Sequence, residues 1–170
     1  MEVRELTYLD EKAFLEGLEF WQGEDLAWYT FSWQEGMEFK PHVDQLKKEK
    51  LGEDLQADWV PATMLYAFVE GKIIGRVHLR HTLNENLLKR GGHIGYAVAP
   101  QFRGRGYAKE MLLKGLEYCS KELNLSKVLI TCASDNAAST RMIKFVGGEF
   151  AEEVYDDVDK EMICKYWVHL

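Results

Sequence analysis

The sequence predicts an α/β (α+β) protein in which helices flank a mixed, mostly antiparallel sheet of about seven strands. An apolar run at residues 94–99, a glycine-rich turn, a helical pattern and a second apolar run at residues 128–133 follow one another. This is the order of a strand–helix–strand crossover, which needs a roughly parallel strand pair. Further pairs of β-rich runs lie at residues 63–79 and 150–169, each interrupted by a short polar turn. The chain length predicts a single domain, 1–170.

The first half of the chain carries clear signals for strands and helices. Asp10 is a suitable N-cap for a first helix. Glu70, Gly71 and Lys72 separate two β-rich runs and predict the turn of an antiparallel hairpin. In order, the predicted elements are a strand at 2–6, a helix from Asp10 to about Phe20, a helix at 41–52, strands at 63–69 and 73–79, and a loop with room for one helical turn at 84–92.

The second half is organised around residues 93–108. Residues 94–99 are almost all apolar, as in a strand buried on both faces, and Pro100 ends the strand because it has no N–H for the ladder. A helix follows, since its apolar residues recur at three- and four-residue steps. The later predicted elements are a strand at 128–133, a helix at 136–146 closed by Gly147 and Gly148, and strands at 150–155 and 162–169.

The turn between the central strand and its helix predicts an anion site. Gly104 and Gly106 let the backbone bend tightly and let a ligand approach it closely. The following helix begins with N–H groups that lack partners, at the positive end of its dipole. Arg103, Arg105 and Lys109 add positive charge to a chain whose net charge is −7. A diphosphate suits so many donors, and a solvated glycine-rich turn is the alternative.

Two elements of the sequence resemble a known family. Residues 101–106, QFRGRG, resemble the (Q/R)-x-x-G-x-(G/A) signature of the GNAT superfamily, the acyl-CoA-dependent N-acyltransferases. Asn136, followed by Ser139 and Gly147, resembles the second family element, in which an Asn opens a helix that ends at a Gly. The resemblance covers residues 63–150 and is greatest to a poorly characterised group of predicted bacterial acetyltransferases.

The resemblance implies a GNAT-like fold with a parallel strand pair that splays at the cofactor site. It also implies acetyl-CoA as acyl donor, with its diphosphate on the backbone amides of the turn and its pantetheine arm along the preceding strand. No metal is expected. The implied cofactor-binding residues are Tyr96, Val98, Arg103, Gly104, Arg105, Gly106, Tyr107, Ala108, Asn136 and Ser139.

Direct attack of an amine on the thioester requires a base, because a free alkylamine is mostly protonated at neutral pH. His93, at the start of the central strand, is the candidate catalytic residue because its intrinsic pKa suits this task. A hydrogen bond to the backbone is an alternative role for His93, and a water chain to an acidic residue is an alternative base. Many family members place a Tyr that protonates the thiolate where this chain has Ile143; Ser139 and Tyr96 are candidate substitutes.

An aromatic segment at residues 20–39 has two interpretations. Its aromatic rings and four acidic residues suit the wall of an acceptor pocket or a lid. Alternatively, Trp21, Trp28 and Trp33 cover the core.

Composition restricts the partners. The net charge of −7 argues against a nucleic acid and favours a cationic acceptor such as an amine. The three cysteines are an odd number at no metal-ligand spacing, so neither a disulfide framework nor a metal site is expected. The chain has no long apolar run and no leader pattern, which predicts a soluble, cytoplasmic protein without a membrane partner.

Trp59 and Trp167 either contribute to a homodimer contact or belong to the core.

Together these features predict an enzyme, an N-acetyltransferase (acyltransferase) that transfers an acetyl group from acetyl-CoA to a primary amine in a ternary complex. The acceptor is a small molecule, an aminoacyl group or a protein amine. A catalytically inactive acyl-CoA-binding module is the alternative, which the missing Tyr permits. A third hypothesis is a different phosphate-binding α/β protein that shares the turn.

Overall fold

The computed structural model describes residues 1–170 and contains seven strands in two antiparallel sheets. The strands are β1 (Glu2–Arg4), β2 (Ala62–Val69), β3 (Lys72–Arg80), β4 (Ile94–Val98), β5 (Lys127–Ala133), β6 (Glu149–Asp156) and β7 (Glu161–His169). The first sheet has the order β1-β2-β3-β4, and the second has the order β5-β7-β6. The predicted α/β class, with its helix-flanked and mostly antiparallel strands, is confirmed.

Six helices connect and flank the strands, and no helix is long and apolar enough to cross a membrane. The loop predicted at 84–92 contains a short helix, which Asn84 caps by accepting a hydrogen bond from the N–H of Leu87. The helices are α1 (Glu11–Gly17), α2 (Ala27–Thr30), α3 (Phe39–Leu51), α4 (Glu85–Lys89), α5 (Tyr107–Lys121) and α6 (Ala137–Phe145).

Two local predictions are wrong. Asp10 makes no side-chain cap to α1. Its carboxylate instead accepts hydrogen bonds from Arg4 and from the N–H of Thr7, because Thr7 opens a separate 3-10 turn just before the helix. Strand β4 is also not buried on both faces, since Tyr96 and its two neighbours are only half-buried.

The alternation of side chains along β2 divides the core into two layers. Leu65 and Ala67 face one cluster, which includes the apolar face of α5. Met64 and Tyr66 face a second cluster built from α1, α3 and the aromatic segment. Because helices cover both faces of this sheet, β2 is apolar at every position except Thr63 and is buried along almost its whole length.

The two sheets meet where β4 begins. The N–H of His93 donates to the carbonyl of Leu129 over 2.7 Å, and the N–H of Leu129 donates to Nδ1 of His93 over 2.9 Å. Beyond this junction no ladder joins β4 to β5, since each strand pairs only within its own sheet. The predicted splay of the strand pair is therefore present, and it leaves one edge of β4 open.

Candidate functional site

The turn between β4 and α5 presents a row of free backbone donors. Gly104 and Gly106 adopt φ values of +76° and +85°, and a Cβ at either position would meet no atom within 4 Å. The N–H groups from Gly104 to Ala108 donate to no protein acceptor. They lie at the start of α5, a helix of 15 residues, where the dipole is positive. The turn thus has the geometry of an anion-binding site.

The three cations near the turn are engaged differently. Arg103 donates through Nε to the carbonyl of Val98 and forms a 2.9 Å ion pair with Glu24, which lowers the pKa of that carboxyl. The ammonium of Lys109 lies over the ring of Phe145, and the guanidinium of Arg105 lies 5.7 Å from the centre of the Phe102 ring. The side chain of Arg103 is therefore held by the protein, and its contribution to an anion would come through charge.

A cavity of about 630 Å³, here called the turn cavity, extends from the turn to α6. It brings together nine of the ten residues predicted to bind the cofactor, all except Arg105. Those nine are Tyr96, Val98, Arg103, Gly104, Gly106, Tyr107, Ala108, Asn136 and Ser139. Of the remaining lining residues, Lys109 was predicted to add charge at the turn, and Trp21, Glu24 and Trp28 belong to the aromatic segment that was a candidate pocket wall. The sequence did not indicate Ala97, Phe102, Ala138 and Met142.

A smaller cavity of about 320 Å³, here called the gap cavity, lies where β4 and β5 diverge. Residues 94–96 line one side of it and residues 131–133 line the other. The four residues that line both cavities are Trp28, Tyr96, Asn136 and Ser139. The two cavities therefore adjoin at these residues.

The register of β4 shows which of its backbone groups point toward the gap between β4 and β5. His93 and Ala99 hydrogen-bond to β3, and pairing in an antiparallel ladder repeats every second residue. The N–H groups of Tyr96 and Val98 therefore point away from β3, toward the open edge of the strand. These are the two strand residues predicted to make main-chain contacts with the cofactor.

Polar side chains of β4 and α6 meet on the wall shared by the two cavities. Asn136 caps α6, because its side-chain oxygen accepts a hydrogen bond of 3.0 Å from the N–H of Ser139. Burial raises the pKa of the Tyr96 phenol, and the nearby Ser139 hydroxyl opposes this shift. Tyr96 is therefore protonated at neutral pH and can donate a hydrogen bond.

His93 lies outside both cavities. Its side chain is only 7% exposed, and its Nδ1 accepts the hydrogen bond from Leu129 at the junction of the sheets. Burial, together with the charge of Arg80, lowers its pKa to about 4. This geometry matches the alternative role, a hydrogen bond to the backbone.

Each of the two interpretations of the aromatic segment, core cover and pocket wall, applies to some of its tryptophans. Trp33 belongs to the core at 5% exposure, and Trp21, at 1% exposure, belongs to the core and also lines the turn cavity. Trp28 is 51% exposed and lines both cavities. Ile143, at the position where many relatives are expected to carry a Tyr, is the buried residue of α6 and lines neither cavity.

Comparison with known proteins agrees with the resemblance carried by the turn and α6. The sequence pattern described as "Acetyltransferase (GNAT) domain" matches residues 4–149, which is most of the chain. The chain belongs to the GNAT acetyltransferase family. The predicted family is therefore confirmed.

Two curated relatives from Bacillus subtilis (strain 168) match parts of this GNAT chain. The uncharacterized N-acetyltransferase YnaD is 39% identical over 54 residues, which span 32% of each chain. YdaF, provisionally named a ribosomal N-acetyltransferase, is 32% identical over 94 residues, which span 55% of this chain and 47% of YdaF. The matched stretch thus spans between a third and a half of the relatives' length.

Solved structures share the fold at low identity. The ribosomal-protein-S5-alanine acetyltransferase from Vibrio fischeri superimposes with a TM-score of 0.68 at 15% identity, covering 98% of this chain and 91% of that one. This likeness supports the GNAT fold over nearly the whole chain.

Proposed function

We propose that the protein is an N-acetyltransferase that transfers an acetyl group from acetyl-CoA to a primary amine. The observation that carries this proposal is the contact between two cavities at the divergence of β4 and β5. One cavity ends at five free backbone N–H groups, and the other shares the lining residues Tyr96 and Ser139 with it. Membership of the GNAT family supports an acyltransferase with this division into donor and acceptor sides.

The donor would occupy the turn cavity. Its diphosphate would accept hydrogen bonds from the N–H groups of Gly104 to Ala108, and a side chain on either glycine would fill that space. The pantetheine arm would extend along the open edge of β4, where Tyr96 and Val98 offer backbone groups. The thioester would then lie at the wall shared with the gap cavity.

The reaction would proceed by direct attack of the acceptor amine on the thioester carbonyl. A C–N bond forms, the carbonyl oxygen becomes an oxyanion that a β4 amide stabilises, and the C–S bond then breaks. The CoA thiolate leaves and takes a proton from solvent or from the hydroxyl of Tyr96 or Ser139. The amine gives its proton to water in the gap cavity, where Glu161 is the lining carboxylate.

Calorimetric titration with CoA and acetyl-CoA tests the donor site. We expect Gly104→Val to weaken binding at least about tenfold, because the side chain would occupy the space in front of the free amides. Gly71→Val is the matched control: Gly71 has the same φ of +76° and the same open space, but lies in the β2–β3 turn.

The two variants separate loss of the site from backbone strain. Equal loss of affinity in both would assign the effect to strain, and no binding of CoA to the wild type would refute the proposal. Circular dichroism and the thermal midpoint of each variant show whether the fold is retained.

A CoA-binding module without catalysis is the second candidate, and the position of Ile143 favours it. Ile143 is only 1% exposed, and its hydrocarbon side chain has no proton to donate, so this position cannot protonate the CoA thiolate. Release of CoA from acetyl-CoA in the presence of a panel of primary amines distinguishes the two candidates. Tight binding without acceptor-dependent release would support the module.

A further inference from the structure

Strand β3 presents three basic residues on one face. Arg76, His78 and Arg80 alternate along the strand, and all three are largely removed from solvent. Burial and the two neighbouring guanidinium groups hold the pKa of His78 well below its usual value, so this side chain is neutral. Neither arginine forms an ion pair, although the chain has 28 acidic residues. Two buried cations without a carboxylate are unusual, because burying an unpaired charge is costly.

Arg76 has a structural explanation. Its guanidinium donates to the carbonyls of Trp28 over 2.6 Å and Ala27 over 3.2 Å, and it thereby holds the single turn of α2 against the sheet. Three of its donors thus have partners, including a contact to Met64. No ligand is needed to account for this residue.

Arg80 is only partly satisfied. Its Nη1 donates to the carbonyls of Gly91 and Gly92, at 3.1 and 3.2 Å, while Nε and Nη2 donate to no protein atom. Neither nitrogen is fully buried, so both can reach a ligand in a neighbouring cavity. A Cβ on Gly91 or Gly95 would lie within 3.9 Å of the guanidinium, so the two glycines leave room for it.

That space consists of two cavities that share Arg80. One is the gap cavity, and the other is a cavity of about 270 Å³, here called the outer cavity. The outer cavity has an apolar part made by Phe31, Trp59 and Leu87. Burial lowers the pKa of Arg80 to about 10, so the group remains a cation at neutral pH.

Arg90 provides the contrast within the gap cavity. It also lines that cavity, but its Nη1 lies within 2.8 Å of carboxylate oxygens of Asp156, Asp159 and Glu161. Its charge is neutralised by the protein. Arg80 is therefore the cation of the gap cavity that no carboxylate neutralises, and a planar guanidinium matches a carboxylate in a bidentate arrangement.

We propose that the acceptor is an amino acid, whose carboxylate binds Arg80 while its amine lies at the wall shared with the turn cavity. This assignment rests on the proposed acetyl transfer and adds the substrate class. A cavity of about 320 Å³ suits a small molecule. The apolar lining of the outer cavity would take an apolar or aromatic side chain.

Matched acceptors with and without a carboxylate test the assignment. The pairs are leucine and isoamylamine, phenylalanine and 2-phenylethylamine, and tryptophan and tryptamine, each assayed for acetyl-CoA consumption. We expect the wild type to prefer the amino acid by about 10- to 100-fold in kcat/KM for at least one pair, as a hydrogen-bonded charge contributes this much.

Three variants test whether Arg80 is responsible for the preference for amino acids. Arg80→Gln should bring the ratio of the two kcat/KM values close to one, and Arg80→Lys should retain part of the preference because it retains the charge. Arg141→Gln removes the same charge from an exposed position on α6, outside both cavities, and should keep the wild-type ratio. Calorimetric binding of CoA to each variant shows that the fold and the donor site are intact.

The outcomes separate the substrate class from the reaction. Acetylation of the simple amines without a preference for amino acids, or a preference unchanged in Arg80→Gln, would overturn the assignment and leave acetyl transfer standing. Binding of CoA without turnover of any acceptor would contradict acetyl transfer itself. In that case, titration of the CoA-loaded protein with the same pairs decides the assignment: amino-acid binding that Arg80→Gln abolishes supports it, and absence of binding overturns it.

Discussion

At the scale of single residues, the position of His93 in the sequence and its surroundings in the fold indicate two different roles. Its position at the start of β4 and its intrinsic pKa suggest a general base. Its Nδ1, however, accepts the hydrogen bond from Leu129, and its pKa is lowered to about 4 by burial and by Arg80. A group with that pKa accepts a proton poorly at neutral pH, so we propose that His93 is a positioning residue at the sheet junction.

Substitution of His93 separates the two roles. In His93→Asn, the side-chain oxygen can still accept the N–H of Leu129, so we expect CoA binding to be unchanged and kcat/KM to remain within about threefold, as for a residue that does not transfer protons. In His93→Ala, that buried N–H loses its acceptor, and we expect unfolding to require about 1–3 kcal/mol less. Urea denaturation and the acetyl-transfer assay measure the two effects. A folded His93→Asn protein with activity reduced a hundredfold or more would restore the role of general base.

The histidine also affects stability as a function of pH. Its folded pKa lies below the ordinary value of 6.5, so the unfolded chain binds the proton more readily. The contribution of His93 to the free energy of unfolding is therefore fully present above pH 6.5 and is lost as the pH falls toward 4. His93→Asn should therefore be less sensitive to acid than the wild type over this window.

At the scale of secondary-structure elements, helix α3 buries a titratable face. Glu49 is 2% exposed, its Oε1 has no hydrogen-bond partner, and burial raises its pKa to about 7. The raised pKa means that the folded protein binds the proton more tightly than the unfolded chain. The contribution of Glu49 to the free energy of unfolding is therefore fully present below pH 4.5 and is lost as the pH rises through 7.

The variant Glu49→Gln tests this behaviour of α3. Because Gln cannot ionise, we expect the variant to gain stability relative to the wild type between pH 5 and pH 8, by roughly 2–3 kcal/mol at about 1.4 kcal/mol per pKa unit. Urea denaturation at the two pH values gives the difference. The exposed Glu53, just beyond the end of α3, provides the control variant Glu53→Gln. Parallel pH profiles for Glu49→Gln and the wild type would contradict the prediction.

Strand β4 is the other element whose surroundings differ from its sequence pattern. An apolar run such as residues 94–99 is typical of a strand with neighbours on both edges and cover on both faces. Here one edge of β4 is open, and the residues beside it are half-buried because a cavity adjoins them. The apolar composition thus indicates a ligand-facing strand as much as a core strand.

At the scale of the whole molecule, the two sheets meet through a tight backbone contact. Gly92 has a φ of +59°, and a Cβ there would lie 2.4 Å from the carbonyl oxygen of Leu129. Only glycine allows both the left-handed conformation and this approach. The angle at which β4 leaves β5, and therefore the shape of the gap cavity, depends on this junction.

Alanine at this junction is expected to affect both stability and binding. Gly92→Ala should reduce the free energy of unfolding by at least about 2 kcal/mol, since it adds a backbone clash to left-handed strain. Gly71→Ala, with φ of +76° and open space, should cost only about 1 kcal/mol. Urea denaturation of both variants and calorimetry with CoA check this expectation. Equal losses in the two variants would show that the junction tolerates a side chain.

The sequence by itself determined the order of the strands and main helices along the chain, the glycine-rich turn before α5 and the family. These depend on local patterns: alternation along strands, three- and four-residue spacing in helices, and the glycines at positions 104 and 106. Nine of the residues inferred for the cofactor lie around one cavity, because they belong to β4, to the turn and first residues of α5 that follow it, and to the start of α6.

The tertiary structure alone decided the surroundings of each side chain. It placed His93 against Leu129, brought Trp28 to the wall of both cavities, and left Arg80, which lines two cavities, without an ion-pair partner. These contacts join residues from different sheets and loops that no local spacing relates. Burial and neighbouring charge set the pKa of a side chain and its accessibility to a ligand, and both arise only when distant segments pack together.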